Sequence, residues 1–231
     1  MIEIFSKKGR LYLDYASCTP ISKEVASSME GFLKPGLSGF FANPNSNHES
    51  GIESRNYLEE ARDKIARTLS VQNDEIIFNS GATEGSNTVI KGIVNANLSK
   101  ITKPQVITSS IEHSSILEPL RELEQKGLIN LVLLKPTASA VVDLDLLKKS
   151  LNKETLLITI SMVNGETGDI TKIRDVSRVI QKWKKDNKIE TPYPYIHTDA
   201  TQATCLLDVS PHNLGVDLAT FDGTKMYGPR G

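Results

Sequence analysis

A lysine, Lys225, closes the run Asp199-Ala-Thr-Gln202 … Val216-Asp-Leu-Ala-Thr-Phe-Asp-Gly-Thr-Lys225-Met-Tyr-Gly-Pro-Arg-Gly231. Asp199 follows one short apolar run, Tyr195–Thr198, and Lys225 lies just past a second, Asp217–Phe221. An acid at one strand end and a lysine beyond the next suit an enzyme that carries an aldehyde cofactor as a Schiff base. The amine supplies the covalent link, and the carboxylate holds a pyridine nitrogen protonated. A carboxylate at that depth is costly unless it is paired, and a protonated ring nitrogen is one suitable partner.

Three further segments put polar groups at comparable positions. Ser80-Gly-Ala-Thr83-Glu84 follows the run Glu75–Asn79. A small-residue turn that opens a helix offers free N–H groups and the positive end of the helix dipole to a phosphate. It also reads as an ordinary capped helix with a glycine turn. His113, in Ser109-Ser-Ile-Glu112-His113-Ser-Ser, can lie over a heteroaromatic ring or move protons near neutral pH. The alternatives for a histidine there are a helix cap or a surface residue. Asn164-Gly-Glu-Thr-Gly168 ends an apolar run, and a tight turn accounts for both of its glycines without any ligand. The weight lies in the joint arrangement, in which four strand ends bring different polar groups to one edge.

The elements that must hold these groups alternate along the chain. Apolar runs rich in Ile, Val, Leu and Thr predict strands over Glu75–Asn79, Gln105–Ser109, Asn130–Leu134, Thr155–Met162, Tyr195–Thr198 and Asp217–Phe221. Amphipathic stretches predict helices over Ser22–Leu33, Ser50–Leu69, Glu84–Ala96, Ser114–Gln125, Leu144–Leu151 and Ile173–Lys184. Ser114 and Ser115 are positioned to cap their helix, and Gly127 to stop it. Such alternation calls for an α/β fold with a mostly parallel sheet and helices on both faces, whose ligands sit beyond the carboxyl ends of the strands. Lys184–Pro194 reads as a helix-to-strand loop rather than a domain boundary.

Composition removes several classes. With 27 basic and 28 acidic residues the charge nearly cancels, which argues against nucleic acid or a membrane surface as partner. No apolar stretch is long enough for a membrane span, and no secretory signal is evident. Cys18 and Cys205 are too few and too far apart for a disulfide framework or a zinc site. The expectation is a soluble cytoplasmic chain of 231 residues with no bound metal.

Taken in order, Leu13-Asp14-Tyr15-Ala16 … Thr19-Pro20, Asn43-Pro-Asn-Ser-Asn-His48, Ser80-Gly-Ala-Thr-Glu84, Glu112-His113, Asn164-Gly-Glu-Thr-Gly168, Asp199-Ala-Thr-Gln202 and Lys225-Met-Tyr-Gly-Pro-Arg-Gly231 resemble the cysteine desulfurases of the class V aminotransferase group. The resemblance spans about Leu11 to Gly231. It implies pyridoxal 5'-phosphate as cofactor and the three-layer large domain of the fold-type I enzymes, which are homodimers. It implies conversion of L-cysteine, or a similar small amino acid, to L-alanine, with a persulfide passed to an acceptor or scaffold protein for iron–sulfur or thio-cofactor synthesis. Lys225 would hold the cofactor and shuttle the substrate proton, and Asp199 would bind the pyridine nitrogen. His113 would stack on the ring and Gln202 would bond its phenolic oxygen. Ala82 and Thr83, helped by Asp222 and Thr224, would hold the phosphate, and Asn164 would orient the substrate. A selenocysteine lyase, another aminotransferase of the group, or a non-catalytic binding remnant are the alternatives.

The chain also departs from the pattern it resembles. Family members read Ser-x-His-Lys where this chain has Asp222-Gly-Thr224-Lys225, and a carboxylate beside a phosphate is repelled by it. Either Asp222 turns away or cofactor affinity falls. Gly165 replaces the second of a pair of asparagines, and Ala16-Ser17-Cys18-Thr19-Pro20 replaces a small-residue and paired-threonine run. The family's further sequence carries a mobile loop with the sulfur-accepting cysteine, a substrate-binding arginine and a small C-terminal domain, so residues 1–231 are expected to be an N-terminal segment plus the cofactor-binding domain. Neither Cys18 nor Cys205 takes the nucleophile's position.

Overall fold

Uninterrupted apolar runs decide the architecture, because a strand buried on both faces must be covered by helices on both. The computed structural model describes residues 6–7, 10–34 and 41–230. A short hairpin of β1 (Ser6–Lys7) and β2 (Arg10–Leu11) opens the chain. Helices α1 (Lys23–Glu30), α2 (Glu49–Leu69) and α3 (Ala82–Asn97) follow. Then β3 (Gln105–Ser109), α4 (Ser114–Gln125), β4 (Asn130–Leu134), α5 (Leu144–Ser150), β5 (Thr155–Ser161) and α6 (Ile173–Asp186) alternate. The last elements are β6 (Tyr195–Asp199), the one-turn helix α7 (Pro211–Leu214) and β7 (Leu218–Thr220). The five strands β3 to β7 form one sheet in the order β4-β3-β5-β6-β7, and every pairing is parallel.

The period of two along each strand sorts its side chains between two cores. Val106 and Leu157 pack with Ile90, Val94, Ile116 and Leu120 under α3 and α4. Ile107, Ile158, Ile160 and Ile196 pack with Leu147, Ile173, Val176 and Ile180 under α5 and α6. Parallel register therefore brings the carboxyl ends of β3, β5, β6 and β7 to a single edge.

Polar side chains join the strands close to that edge. The fully buried His197 sits between Thr159 and Thr220, with Nδ1 2.7 Å from Thr159 Oγ1 and Nε2 2.9 Å from Thr220 Oγ1. Thr108 Oγ1 donates to Thr159 O at 2.7 Å, and Thr198 Oγ1 to Ile160 O at 2.8 Å. Helix α3 lies close above this row because residue 85 is glycine. A β-carbon there would stand 3.0 Å from Thr220 Cγ2 and 3.0 Å from Asn79 Nδ2.

One expected strand is absent. Glu75 ends a 3-10 turn, Asn73–Glu75, and 76–79 is extended chain paired with no strand among the described residues. Ile77 is 75% exposed, and Arg62 holds the segment instead, bonding Ile76 O and lying 4.8 Å from the Phe78 ring centroid. The β-propensity of Glu-Ile-Ile-Phe-Asn is real, but a strand needs a hydrogen-bonded neighbour, and none of the five pairs with it. Helix α4 is capped by His113, in the helix-cap role that is one alternative for it, and not by Ser114 or Ser115: Nδ1 accepts from Ser115 N–H at 3.1 Å, while Gly127 (φ 71°) ends the helix as expected. The other helices and strands lie within a few residues of the predicted spans.

Burial without a charged partner depresses the His197 imidazole from 6.5 to about 4. The unfolded chain therefore takes up this proton first. The stability that neutral His197 contributes is complete above about pH 6.5 and is lost as pH falls toward 4, at most about 3 kcal/mol. Urea denaturation across that window should show the slope, and His197→Gln should flatten it.

Candidate active site

Four loops converge at the carboxyl edge of the sheet. The turn after β6 supplies Asp199 and Gln202, and the 3-10 turn Gly223–Lys225 after β7 supplies Lys225. Both reach the same acceptor: Gln202 Nε2 donates to Ala16 O at 2.8 Å, and Lys225 Nζ donates to Ala16 O at 2.7 Å. Lys225 Nζ also bonds Ser17 O. The segment that carries these carbonyls is tied down on the same side. Thr19 N and Oγ1 each donate to Thr224 O at 2.9 Å, Tyr227 N donates to Thr19 Oγ1 at 2.8 Å, and Ser22 N donates to Tyr227 O at 3.0 Å. Residues about 200 positions apart are thereby held against one another.

Asp199 is buried, 8% exposed, and among the described residues its carboxylate accepts only Thr201 N–H, at 2.9 Å from Oδ1. Thr201 Oγ1, in the same turn, is buried with no hydrogen-bond partner. A buried anion with no paired cation, next to an orphaned hydroxyl, calls for a polar ligand that brings a donor. A protonated pyridine nitrogen meets that requirement.

Glu112 and His113 come from the loop between β3 and α4. Ser161 N donates to both Glu112 oxygens at 3.1 Å, and Ser161 Oγ bonds Oε2. Ser161 is the register partner of Asp199, so Glu112 is bonded to the strand end next to Asp199 and its carboxyl feels that charge. Burial above all, opposed by the Ser161 bonds and assisted by the Asp199 charge, pushes the Glu112 carboxyl up to about 7. His113 is exposed, and because its Nδ1 accepts from Ser115 N–H, the neutral ring carries its proton on Nε2. Asn164 is occupied by its own turn: Oδ1 accepts from Glu166 N at 2.9 Å and Thr167 N at 3.0 Å, and Nδ2 donates to Ile111 O at 3.1 Å. A β-carbon on Gly165 would touch Gln202 Nε2 at 3.4 Å, so this turn lies against the Gln202 side chain.

Three consecutive N–H groups leading into α3 are already paired within the chain. Ser80 N donates to Glu84 Oε2 at 2.7 Å, Gly81 N to Asn79 Oδ1 at 2.9 Å, and Ala82 N to Asp222 Oδ2 at 3.3 Å. Asp222 Oδ1 accepts from Thr224 N at 2.8 Å and Thr224 Oγ1 at 2.7 Å. Asp222 therefore faces the turn and does not point away from it. Ala82 is buried, whereas Thr83 is exposed in the first turn.

Lys225 and Gln202 thus meet at Ala16 O, with Asp199 three residues before Gln202 in sequence, and Ala82, Asp222 and Thr224 form a second group that the Asp222-to-Lys225 turn links to the first. Sequence reasoning missed the carbonyls of Ala16 and Ser17 and the clasp made by Thr19, because main-chain acceptors leave no mark in residue type. It also passed over Glu112, whose burial at a strand end is visible only once β3 and β5 are paired. Among the described residues no cluster of His, Cys, Asp or Glu could hold a metal ion, and no helix is long and apolar enough to cross a membrane.

Comparison with known proteins places this geometry among relatives. The model of the family "Aminotransferase class-V" matches residues 11–231. The cysteine desulfurase IscS of Dictyoglomus turgidum is 41% identical over 224 residues, covering 97% of this chain and 53% of that protein. The IscS of Buchnera aphidicola subsp. Schizaphis graminum is 38% identical, with 97% and 52% covered. Among solved structures, SspA in complex with cysteine superposes with a TM-score of 0.83 at 36% identity, over 95% of this chain and 59% of that one. A NifS-like protein gives 0.84 at 35% identity, over 94% and 56%. The chain spans about half the length of the curated relatives it matches.

The Glu112–Ser161 tie yields a direct test. Glu112→Ala leaves Ser161 N–H unpaired at a strand end and should cost about 1–3 kcal/mol in chemical denaturation. Glu112→Gln keeps an acceptor for that N–H and should lose clearly less.

Proposed function

The chain belongs to the class-V aminotransferase family, a group of pyridoxal-phosphate enzymes, and on that footing we propose that it takes part in cysteine desulfuration. In that reaction L-cysteine and an acceptor thiol give L-alanine and a persulfide. The observation that carries the reading is the convergence of Lys225 Nζ and Gln202 Nε2 on Ala16 O, with Asp199, three residues before Gln202, buried and paired with no cation among the described residues. The cysteine desulfurases among the relatives, and SspA with cysteine bound, favour L-cysteine as the substrate.

When bound, pyridoxal phosphate supplies an aldehyde that captures amines and a ring that accepts the electrons of a breaking bond at the substrate α-carbon. Asp199 would hold the ring nitrogen, with Gln202 directing its amide N–H to the phenolic oxygen. Lys225 would anchor the cofactor. Its Nζ, now donating to two main-chain carbonyls, is the group in reach to take and return the substrate proton once it leaves Ala16 O and Ser17 O. The assigned tautomer of His113 offers an Nε2–H donor at the same edge. Ala82, Thr83 and Thr224 would line the phosphate end, and Asn164 would order the turn beside Gln202.

Neither thiol of this chain is proposed as the sulfur acceptor. Cys18 Sγ bonds Thr19 O at 3.4 Å and receives Arg230 at 3.4 Å, and Cys205 is exposed beyond the Gln202 turn. Cofactor binding and cysteine capture are therefore assigned to this stretch of chain, and persulfide formation to a thiol outside it. Two free cysteines suit a reducing cytoplasm. Exposed Ile52, Tyr57, Leu58 and Ile65 on α2 support pairing with a second copy.

Reconstitution with pyridoxal phosphate should give a visible band, and Lys225→Ala should abolish it. Asp199→Ala should weaken binding roughly tenfold or more, as expected for loss of a charged hydrogen bond. L-Cysteine should perturb the band more than alanine, serine or selenocysteine, read by stopped-flow absorbance. A spectrum indifferent to Lys225→Ala would overturn the proposal.

A further inference from the structure

Three consecutive N–H groups, those of Ser80, Gly81 and Ala82, lead into α3, and each already has an oxygen from this chain. Glu84 and Asn79 are neighbours in sequence and cap the turn locally. Asp222 is different: it arrives from 140 positions away to place Oδ2 3.3 Å from Ala82 N. Helix α3 has no side-chain cap of its own at Gly81, whose φ of 138° turns the chain so that Asp222 Oδ2 lies 3.6 Å from where a β-carbon would be. Burial pushes the Asp222 carboxyl up, but the Thr224 hydroxyl and N–H, the Ala82 N–H and the Lys225 charge outweigh it, so the group is an anion at neutral pH.

We propose that Asp222 is a tethered anion seated at the phosphate end of the site, where it competes with the phosphate monoester of the cofactor and sets its affinity. The inference rests on the cofactor reading above for the identity of the ligand, and on the Ala82–Asp222 contact for the competition. A phosphate reaching Ala82 N–H must displace Oδ2, leaving Asp222 on Thr224 through Oδ1 and close to a second negative group. The alternative arrangement, with both anions in the same small turn, is disfavoured by their repulsion. The chain accordingly favours weak, exchangeable loading of a phosphorylated ligand. A neutral hydrogen-bonding residue at position 222 would reverse that bias.

The test compares the chain with D222N and D222S. Asparagine keeps an acceptor for Thr224 N–H, so D222N guards against a loss of folding in D222S. Fluorescence titration with pyridoxal phosphate should show both variants binding on the order of tenfold tighter, the size expected for one charge at a helix start. Pyridoxal, which lacks the phosphate, should bind all three chains alike. Inorganic phosphate should raise the melting temperature of the variants at concentrations that leave the parent unchanged. If the variants respond to inorganic phosphate while no chain binds pyridoxal phosphate, the role of Asp222 stands and the cofactor reading falls. If pyridoxal phosphate binds all three equally and inorganic phosphate discriminates none, the cofactor reading stands and the role of Asp222 is refuted. An identical lack of response to both ligands in all three chains overturns both.

Discussion

A fully buried imidazole holds together the three strands on which the candidate site is built. His197 takes a hydroxyl from β5 on one nitrogen and from β7 on the other, so the spacing of β5, β6 and β7 is fixed by side chains as well as by the ladder. Two residues further along β6 lies Asp199, and five residues beyond Thr220 lies Lys225. Burial keeps the ring neutral, and Gly85 lets α3 close over Thr220 to maintain that burial. The turn that opens α3 is thereby set at a fixed distance from the lysine turn. Core packing and site geometry are here consequences of the same hydrogen-bonded row.

The second constraint is the clasp between the segment around Ala16–Thr19 and the turn around Thr224–Tyr227. Main-chain carbonyls of the former are the acceptors for Gln202 and Lys225, so the segment closes one side of the site. An ammonium satisfied by two carbonyls is poised but restrained, since it must exchange those bonds for new ones when a ligand enters. Nothing in the sheet demands this closure, which depends on Thr19 bonding across 205 positions.

Much of the fold was legible in the sequence because its signals are local. Gln105–Ser109 and Asn130–Leu134 read as strands from their Val, Ile and Leu content and form at those residues. Ser114–Gln125 reads as a helix and is one. Glu75–Asn79 has the composition of a strand but lacks a neighbour, and pairing is a property of the assembled sheet, not of the segment. The grouping of Asp199, Gln202 and Lys225 was accessible because parallel register sends strand ends to one edge. The Ala16 carbonyl was not, since every residue carries one. Nor did residue type reveal that Asp222 faces the start of α3; that orientation depends on Thr224 fixing one carboxylate oxygen so that the other points at Ala82.

The loops after β3 and β5 are joined twice, by Asn164 Nδ2 to Ile111 O and by Glu112 to the Ser161 main chain. In dynamic terms this double tie removes their independence. Lifting the loop that carries His113 pulls on the Asn164 turn, which lies against Gln202, and lifting that turn pulls on His113 in return. Opening of one loop must break bonds that also hold the other, so amide exchange in both loops is expected to report a common opening free energy. A ligand that clamps either loop would slow the motion of the other.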